Sequence, residues 1–269
     1  MTTKRKFLIG SDPEMFVRTA SGIITSVAGK LGCSKDNKID LAPDVRLQED
    51  NVLAEFDINP QKGFEAFNDN IQRGIDLTNK VLNERGMEAA LGISSHVFTS
   101  EEMESFHPSA FVFGCTPDFN AFTGQKNPSP VATDKGLRTA GGHVHLGVTG
   151  TLEISRQTQM MLGVLCDYFL SLPAVIMDKD TRRKELYGKA SAIRYKDYGI
   201  EYRSLSNFWI GEKSTRKFVY EQVDKVVQGC DMEVLMSLHS RLPIEKLHNI
   251  INSNDVKEAD KFSSKLQIV

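Results

Sequence analysis

Four stretches of the chain alternate apolar and polar residues with a period of two, the spacing that sends neighbours to opposite faces of a β-strand. In residues 52–59 (VLAEFDIN), Val52, Ala54, Phe56 and Ile58 share one face, and Glu55, Asp57 and Asn59 the other. In 143–148 (HVHLGV), Val144, Leu146 and Val148 oppose His143, His145 and Gly147. Residues 200–205 group Glu201 with Arg203, and residues 11–17 group Asp12 with Glu14. Pro13 has no N–H to donate, which predicts an edge strand or a bulge at that point.

Other segments have helical spacing. Over 64–86, Phe64, Phe67, Ile71, Ile75 and Leu82 fall on one face, with Gly86 as the stop. Further helices are predicted over about 154–171, 214–229, 232–239 and 243–252. The most apolar stretch, 160–177, contains Asp167 and Pro173, so it reads as a buried helix ending near that proline and not as a membrane span. Residues 94–136 are rich in Ser, Pro, Asn and Gly and are expected to form a long irregular cover over a site. Together these elements predict an α+β fold in one domain over 1–269. Its sheet is mostly antiparallel, with helices on the apolar back face and a helical C-terminal part from about 214.

The totals narrow the function. Thirty-three basic and 35 acidic residues nearly cancel, so no long-range field draws the chain to nucleic acid or to an anionic membrane, and neither is expected as a partner. The four cysteines (Cys33, Cys115, Cys166 and Cys230) form no C-x-x-C pair, which argues against a zinc ribbon and fits a reducing compartment. The first residues lack the apolar run of a secretory signal. A soluble, cytoplasmic protein is expected.

If the four alternating segments share one sheet, its polar face collects Asp12, Glu14, Glu55, Asp57, His143, His145, Glu201 and Arg203. Crowded carboxylates raise one another's pKa unless cations neutralise them. Oxygen-rich ligands with one or two imidazoles suit Mg²⁺ or Mn²⁺ better than a closed zinc site. On this reading His143 binds a metal and His145 faces the polar cavity, while Gly141 and Gly142 let backbone approach a ligand closely. Taken singly, D-x-E, H-x-H and E-x-R are commonplace on a wet strand face; their recurrence in four strands is what points to a site. Residues 181–209 and the approach to the histidine strand add arginines and lysines, among them Arg138, Lys189 and Arg194, suited to phosphate or carboxylate oxygens. Arg182, Arg183 and Lys184 are assigned to solvated surface. No P-loop or G-x-G-x-x-G motif is present.

DPEMF, GGHVHLG and IEYR resemble, in the same order, motifs of the glutamine synthetase catalytic domain, a plan shared with the glutamate–cysteine ligases. GSDPEMF, EFDINP, FGCTPDFNAF, RTAGGHVHLG and YGKASAIRYKDYGIEYRSLSNFW are most similar to the phage-encoded carboxylate–amine ligases of the phiEco32-like type 2 group. The resemblance implies a curved antiparallel sheet around a metal-lined cleft, and an ATP-dependent ligase that makes an amide or peptide-like bond through an acyl phosphate. By the same resemblance Glu14 and Glu55 hold a substrate-side metal, and Asp12, His143 and Glu201 a nucleotide-side metal. His145 and Arg194 contact phosphate, and Arg203 stabilises the transferring phosphoryl group. Asp12 stands where glutamine synthetase carries a glutamate. The implied cofactors are ATP and Mg²⁺ or Mn²⁺; the implied partners are a small-molecule or peptide carboxylate and an amine, in a host cytoplasm if the protein is phage-encoded. Asp57 or Asp118 is a candidate to take the proton from the incoming amine. The alternatives are a metal-dependent hydrolase, a guanidino-kinase-like phosphotransferase, and a non-catalytic phage protein with a degenerate site.

Overall fold

The structure, a computed structural model, describes residues 4–111, 117–131, 134–150 and 152–266. Its strands are β1 (Lys6–Thr19), β2 (Ile24–Thr25), β3 (Ile39–Ala42), β4 (Val45–Asp50), β5 (Leu53–Gln61), β6 (Met87–Ala90), β7 (Ser95–Val97), β8 (Phe119–Asn120), β9 (Leu137–Thr139), β10 (Gly142–Thr149), β11 (Ala192–Lys196) and β12 (Gly199–Tyr202). Its helices are α1 (Phe64–Asn83), α2 (Ser100–Ser105), α3 (Arg156–Cys166), α4 (Leu172–Met177), α5 (Arg183–Leu186), α6 (Lys213–Gln228), α7 (Met232–Arg241), α8 (Ile244–Ser253) and α9 (Val256–Leu266).

The main sheet runs β3-β4-β5-β1-β10-β12-β11-β8, with β2 and β6 paired to the far end of β1. Every pairing among the described residues is antiparallel. The fold is therefore the expected α+β arrangement. One face of the sheet is apolar: Ile9, Met15, Phe56, Val144, Leu146 and Ile200 are buried in one core with residues of α1, α3, α6 and α8. Phe67, Ile71, Ile75 and Leu82 are buried along α1, as its period required, and Phe64 is half-buried. Gly74 lets this helix sit on β5, since a Cβ there would stand 2.3 Å from the Phe56 ring.

Three expectations are corrected. Pro13 is in the central strand β1, not at an edge; it is tolerated because the ladder with β10 ends at the Pro13–Gly142 pair, and the irregularity in the β5 register falls earlier, between Ile9 and Ser11. Pro173 does not end its helix. A π-helical turn, Asp167–Ser171, widens the helix just ahead of it, so the missing N–H and bulky ring are absorbed and the helix continues to Met177. This helix is long and apolar enough to cross a membrane by composition, yet 72% of its most apolar window is buried inside the protein. Residues 94–136 are not structureless: they contain β7, β8 and α2, the last closed by a reciprocal cap between Thr99 and Glu102. Cys33, Cys166 and Cys230 are buried free thiols; Cys115 lies outside the described residues.

Candidate active site

Register, more than proximity in sequence, assembles the polar face of the sheet. Glu14 pairs with Glu55 across β1 and β5, and Asp12 with His143 across β1 and β10. His145 pairs with Glu201 across β10 and β12, and Glu201 with Arg194 across β12 and β11. Gln48 faces Glu55, and Arg46 faces Asp57, across β4 and β5. Antiparallel neighbours directly opposite project to the same side. Six strands, β4, β5, β1, β10, β12 and β11, thus deliver one continuous row of polar and charged side chains into a cleft of about 660 Å³.

Two groups of potential metal ligands lie in this cleft, each with donor atoms within 4.8 Å of one another: Asp12, His143 and Glu201, and Glu14, Asp50 and Glu55. In the first group, Asp12 Oδ1 stands 3.3 Å from His143 Nδ1 and 3.1 Å from His145 Nε2. Both atoms are buried, and among the described residues neither finds a partner beyond these close contacts. His145 is aimed from behind by Tyr198, whose hydroxyl lies 2.6 Å from its Nδ1. Burial and then Arg203 push the His143 pKa down to about 4, so its ring is neutral and keeps a lone pair near neutral pH. Burial pushes Asp12 upward, but His145 and His143 outweigh it and hold the carboxyl well below the ordinary range.

The second group behaves in the opposite way. Burial, then repulsion from Asp50, raises Glu14 to about 7. Burial raises Glu55 well above its ordinary value, helped by Asp12, Asp50 and Glu14, and burial raises Asp50 too. Three carboxylates held together with their charge disfavoured fit a hard divalent cation, which would relieve both the repulsion and the desolvation. The oxygen donors with a single imidazole in the first group fit the same class of ion.

A wall of cations closes one side. Glu201, only 1% exposed, accepts Arg194 Nη1 at 3.0 Å and a close bond from Arg203 Nη1 on Oε1, while Lys196 Nζ lies 2.9 Å from Oε2. Burial and Asp12 push Glu201 up, yet Arg203, His143 and Arg194 prevail and bring it to about 2. Arg203 Nε also stands 3.6 Å from Asp118 Oδ2.

The glycine pair before His143 is required by the packing of the protein's own groups. A Cβ on Gly141 would lie 2.5 Å from His143 Nε2, and one on Gly142 would lie 2.5 Å from the Ser206 carbonyl and 2.6 Å from the Trp209 indole nitrogen. The close approach is therefore by the protein's own groups, including the Trp209 Nε1–H that donates to the Gly142 carbonyl at 3.1 Å.

Asp12, Glu14, Glu55, Asp57, His143, His145, Arg194, Glu201 and Arg203 all line the cleft, whereas Arg138 and Lys189 do not. Arg138 belongs to β9, which pairs with β7 apart from the main sheet, and its buried guanidinium donates to Asn51 and to the carbonyls of Ala110, Lys135 and Leu137. Lys189 is exposed on the turn before β11. Asp57 reaches the cleft with both oxygens engaged: Oδ2 by Lys38 Nζ at 2.5 Å, and Oδ1 by Arg46 Nε and Nη2 at 2.8 and 2.5 Å. Arg183, assigned to the surface from sequence, is buried behind the site and donates to the Ser204 and Arg203 carbonyls at 3.0 and 3.2 Å. Of the described residues in the presumed cover, Ser109 alone lines the cleft. Phe119 packs on Tyr195 and Phe122 on His248.

Asp50 and Lys196 were not singled out as site residues. The signal for Asp50 was present: in VRLQED, Val45 and Leu47 alternate with Arg46, Gln48 and Asp50, the same period that marked the other strands.

Residues 135–243 match the family model described as phage phiEco32-like COOH.NH2 ligase-type 2, a family of ligases that join a carboxyl group to an amine. The matched segment contains His143, His145, Arg194, Glu201 and Arg203. No curated protein matches the chain in sequence. Among solved structures, one titled "GmaS/ADP complex-Conformation 1" is 12% identical with a TM-score of 0.42, over 98% of this chain and 68% of that one. Another, "Apo GmaS without ligand", is 12% identical with a TM-score of 0.45, over 98% of this chain and 65% of that one.

Proposed function

We propose, from the premise that residues 135–243 belong to the phage phiEco32-like carboxylate–amine ligase type 2 family, that this chain is an ATP-dependent ligase that forms an amide through an acyl phosphate. The observation that carries the reading is the adjacency, on one sheet face, of two three-ligand groups and an Arg194–Lys196–Arg203 cation wall. Asp12, His143 and Glu201 would hold one divalent ion, and Glu14, Asp50 and Glu55 a second. Bound there, Mg²⁺ or Mn²⁺ would neutralise phosphate oxygens and make a carboxylate-rich cleft hospitable to an anionic substrate.

The chain's own groups divide the remaining work. Arg194 and Lys196 border the first ligand group and suit the phosphates of the nucleotide. Arg203, between Glu201 and Asp118, is held where charge builds on a phosphoryl group in flight; fixed donors of this kind supply most of the barrier reduction in phosphoryl transfer. The substrate carboxylate oxygen attacks the γ-phosphorus and ADP leaves; the amine nitrogen then attacks the acyl carbon, phosphate leaves, and the amine gives up a proton. Lys38 and Arg46 already occupy Asp57, an arrangement that disfavours the proton-accepting role expected of it from sequence and favours an electrostatic strut.

The test is hydroxamate formation. With ATP, Mg²⁺, a panel of carboxylates and hydroxylamine, the protein is expected to give a hydroxamate and one ADP per hydroxamate. Turnover that needs the metal but no nucleotide would instead establish a hydrolase.

A further inference from the structure

Behind the strand that carries Glu201 lies a charged cluster outside the cleft. Asp167 is 0% exposed and opens the π-helical turn. Its Oδ1 accepts the Ser191 N–H at 2.8 Å and the Tyr202 hydroxyl at 2.6 Å. Its Oδ2 accepts the Ser191 hydroxyl at 2.6 Å and lies 3.1 Å from His248 Nε2. Ser171, at the other end of the same turn, places its Oγ 2.6 Å from the Tyr202 hydroxyl. A buried carboxylate is tolerated only when its oxygens are met by donors in this way. Ser191 also adopts φ +61, a left-handed conformation uncommon for a residue with a side chain, and both of its donors reach the one carboxylate.

Serine, histidine and aspartate together invite comparison with a nucleophilic triad, and the geometry argues against it. His248 Nε2 stands 3.0 Å from Ser191 Oγ as well as 3.1 Å from Asp167. One nitrogen faces both partners, whereas a relay needs the aspartate on one ring nitrogen and the serine on the other. Ser191 is also 0% exposed, beyond the reach of a substrate.

The position of the cluster suggests another task. Ser191 immediately precedes β11, which carries Arg194 and Lys196, and Tyr202 lies between Glu201 and Arg203 on or beside β12. Strand alternation sends Tyr202 to the back of the sheet and its two neighbours to the front. We propose that Asp167 is a positioning residue, clamping the β11–β12 hairpin from behind through Ser191 and Tyr202 so that Arg194, Glu201 and Arg203 are presented to the cleft at fixed height. Its consequence for metal binding rests on the ligase reading; the clamp itself does not.

Tyr202→Phe keeps the ring and removes only the hydroxyl. By amide hydrogen exchange it is expected to speed exchange over residues 192–203 about tenfold while β1 and β5 are unchanged, as loss of one buried hydrogen bond in a local unit implies. Equal acceleration of every strand, or no change over 192–203, would overturn the clamp. Asp167→Asn should give the same local pattern, and Tyr202→Phe keeps the test alive if that variant does not fold. In calorimetric Mn²⁺ titrations, Tyr202→Phe should weaken binding about tenfold in a Glu55→Gln background and leave it unchanged in a Glu201→Gln background; equal loss in both would also overturn the proposal. Absence of Mn²⁺ binding by the unaltered protein would count against the metal sites, with the exchange pattern still deciding the clamp.

Discussion

Glu14 and Gly141 are bonded to each other twice. The Glu14 N–H donates to the Gly141 carbonyl at 2.9 Å, and the Gly141 N–H donates to Glu14 Oε2 at 2.5 Å. A carboxylate of one group of potential ligands is thereby tied to the segment that leads into His143 of the other.

Gly141 has no spare room beside it, which makes Gly141→Ala a sharp probe. The added methyl would lie 2.5 Å from His143 Nε2, so either the ring or the backbone must shift. Overpacking of this kind costs about 1–3 kcal/mol, so a lowered Tm is expected, with Mn²⁺ affinity reduced about tenfold or more by calorimetry as His143 is displaced. A variant with unchanged melting and unchanged Mn²⁺ binding would show that His143 is not held by this contact.

On the proposed reading Asp50 is a metal ligand and Asp57 an electrostatic strut. Asp50 belongs to the Glu14–Glu55 group, whereas Asp57 is committed to Lys38 and Arg46. Asp50→Asn is expected to weaken Mn²⁺ binding by at least about 100-fold, the upper end of what outer partners alone cost, and Asp57→Asn by about tenfold at most. Calorimetry on the two variants decides; the reverse ranking would move the second metal site toward Asp57.

How much of this was legible depended on periodicity. The i, i+2 pattern identifies Asp12, Glu14, Glu55, His143, His145 and Glu201 as residents of strand faces, and register then brings them together. The two groups of potential ligands divide Asp12, Glu14, Glu55, His143 and Glu201 as the resemblance divided them; His145, which the resemblance assigned to phosphate, joins neither, and Asp50, which it did not name, completes the second. What periodicity could not convey is direction off the sheet. Arg138 lies close to His143 in sequence, but its short strand pairs with β7 and not with the main sheet; Arg183, in a basic run that reads as wet, is drawn inward by the Arg203 and Ser204 carbonyls. The π-turn that carries the helix past Pro173 has no sequence signal in a period of 3.6, and with it goes the burial of Asp167.

Lys184 makes stability depend on pH at the alkaline end. Burial lowers its pKa from 10.5 to about 8, where its ammonium donates to Asn254 Oδ1 at 2.5 Å. A base whose pKa is lowered by folding charges at a cost to the folded state below about 8; that cost fades as pH rises toward 10.5, where both states are neutral. Relative to Lys184→Met, the unaltered protein should therefore gain stability between pH 8 and 10, read as a Tm difference that shifts in its favour as pH rises. A difference independent of pH would show that the amine titrates normally in the folded protein.

Arg203 offers the most direct test of phosphoryl stabilisation. Its guanidinium bonds Glu201 Oε1, stands 3.4 Å from His143 Nδ1 and 3.6 Å from Asp118 Oδ2, contacts that only a planar, forked cation can make together. Lysine at this position keeps the charge but loses the fork, so Glu201 would lose one of its two arginine partners and any phosphoryl oxygen would lose a fixed donor. Removing one preorganised donor to developing charge typically costs about 100- to 1,000-fold in kcat. Arg203→Lys is expected to lose that much in hydroxamate turnover while the KM for the carboxylate moves little, since the lost contact acts in the transition state more than on the bound substrate. A KM that rises with kcat intact would instead make Arg203 a ground-state anchor for the substrate, and the phosphoryl role would pass to Arg194.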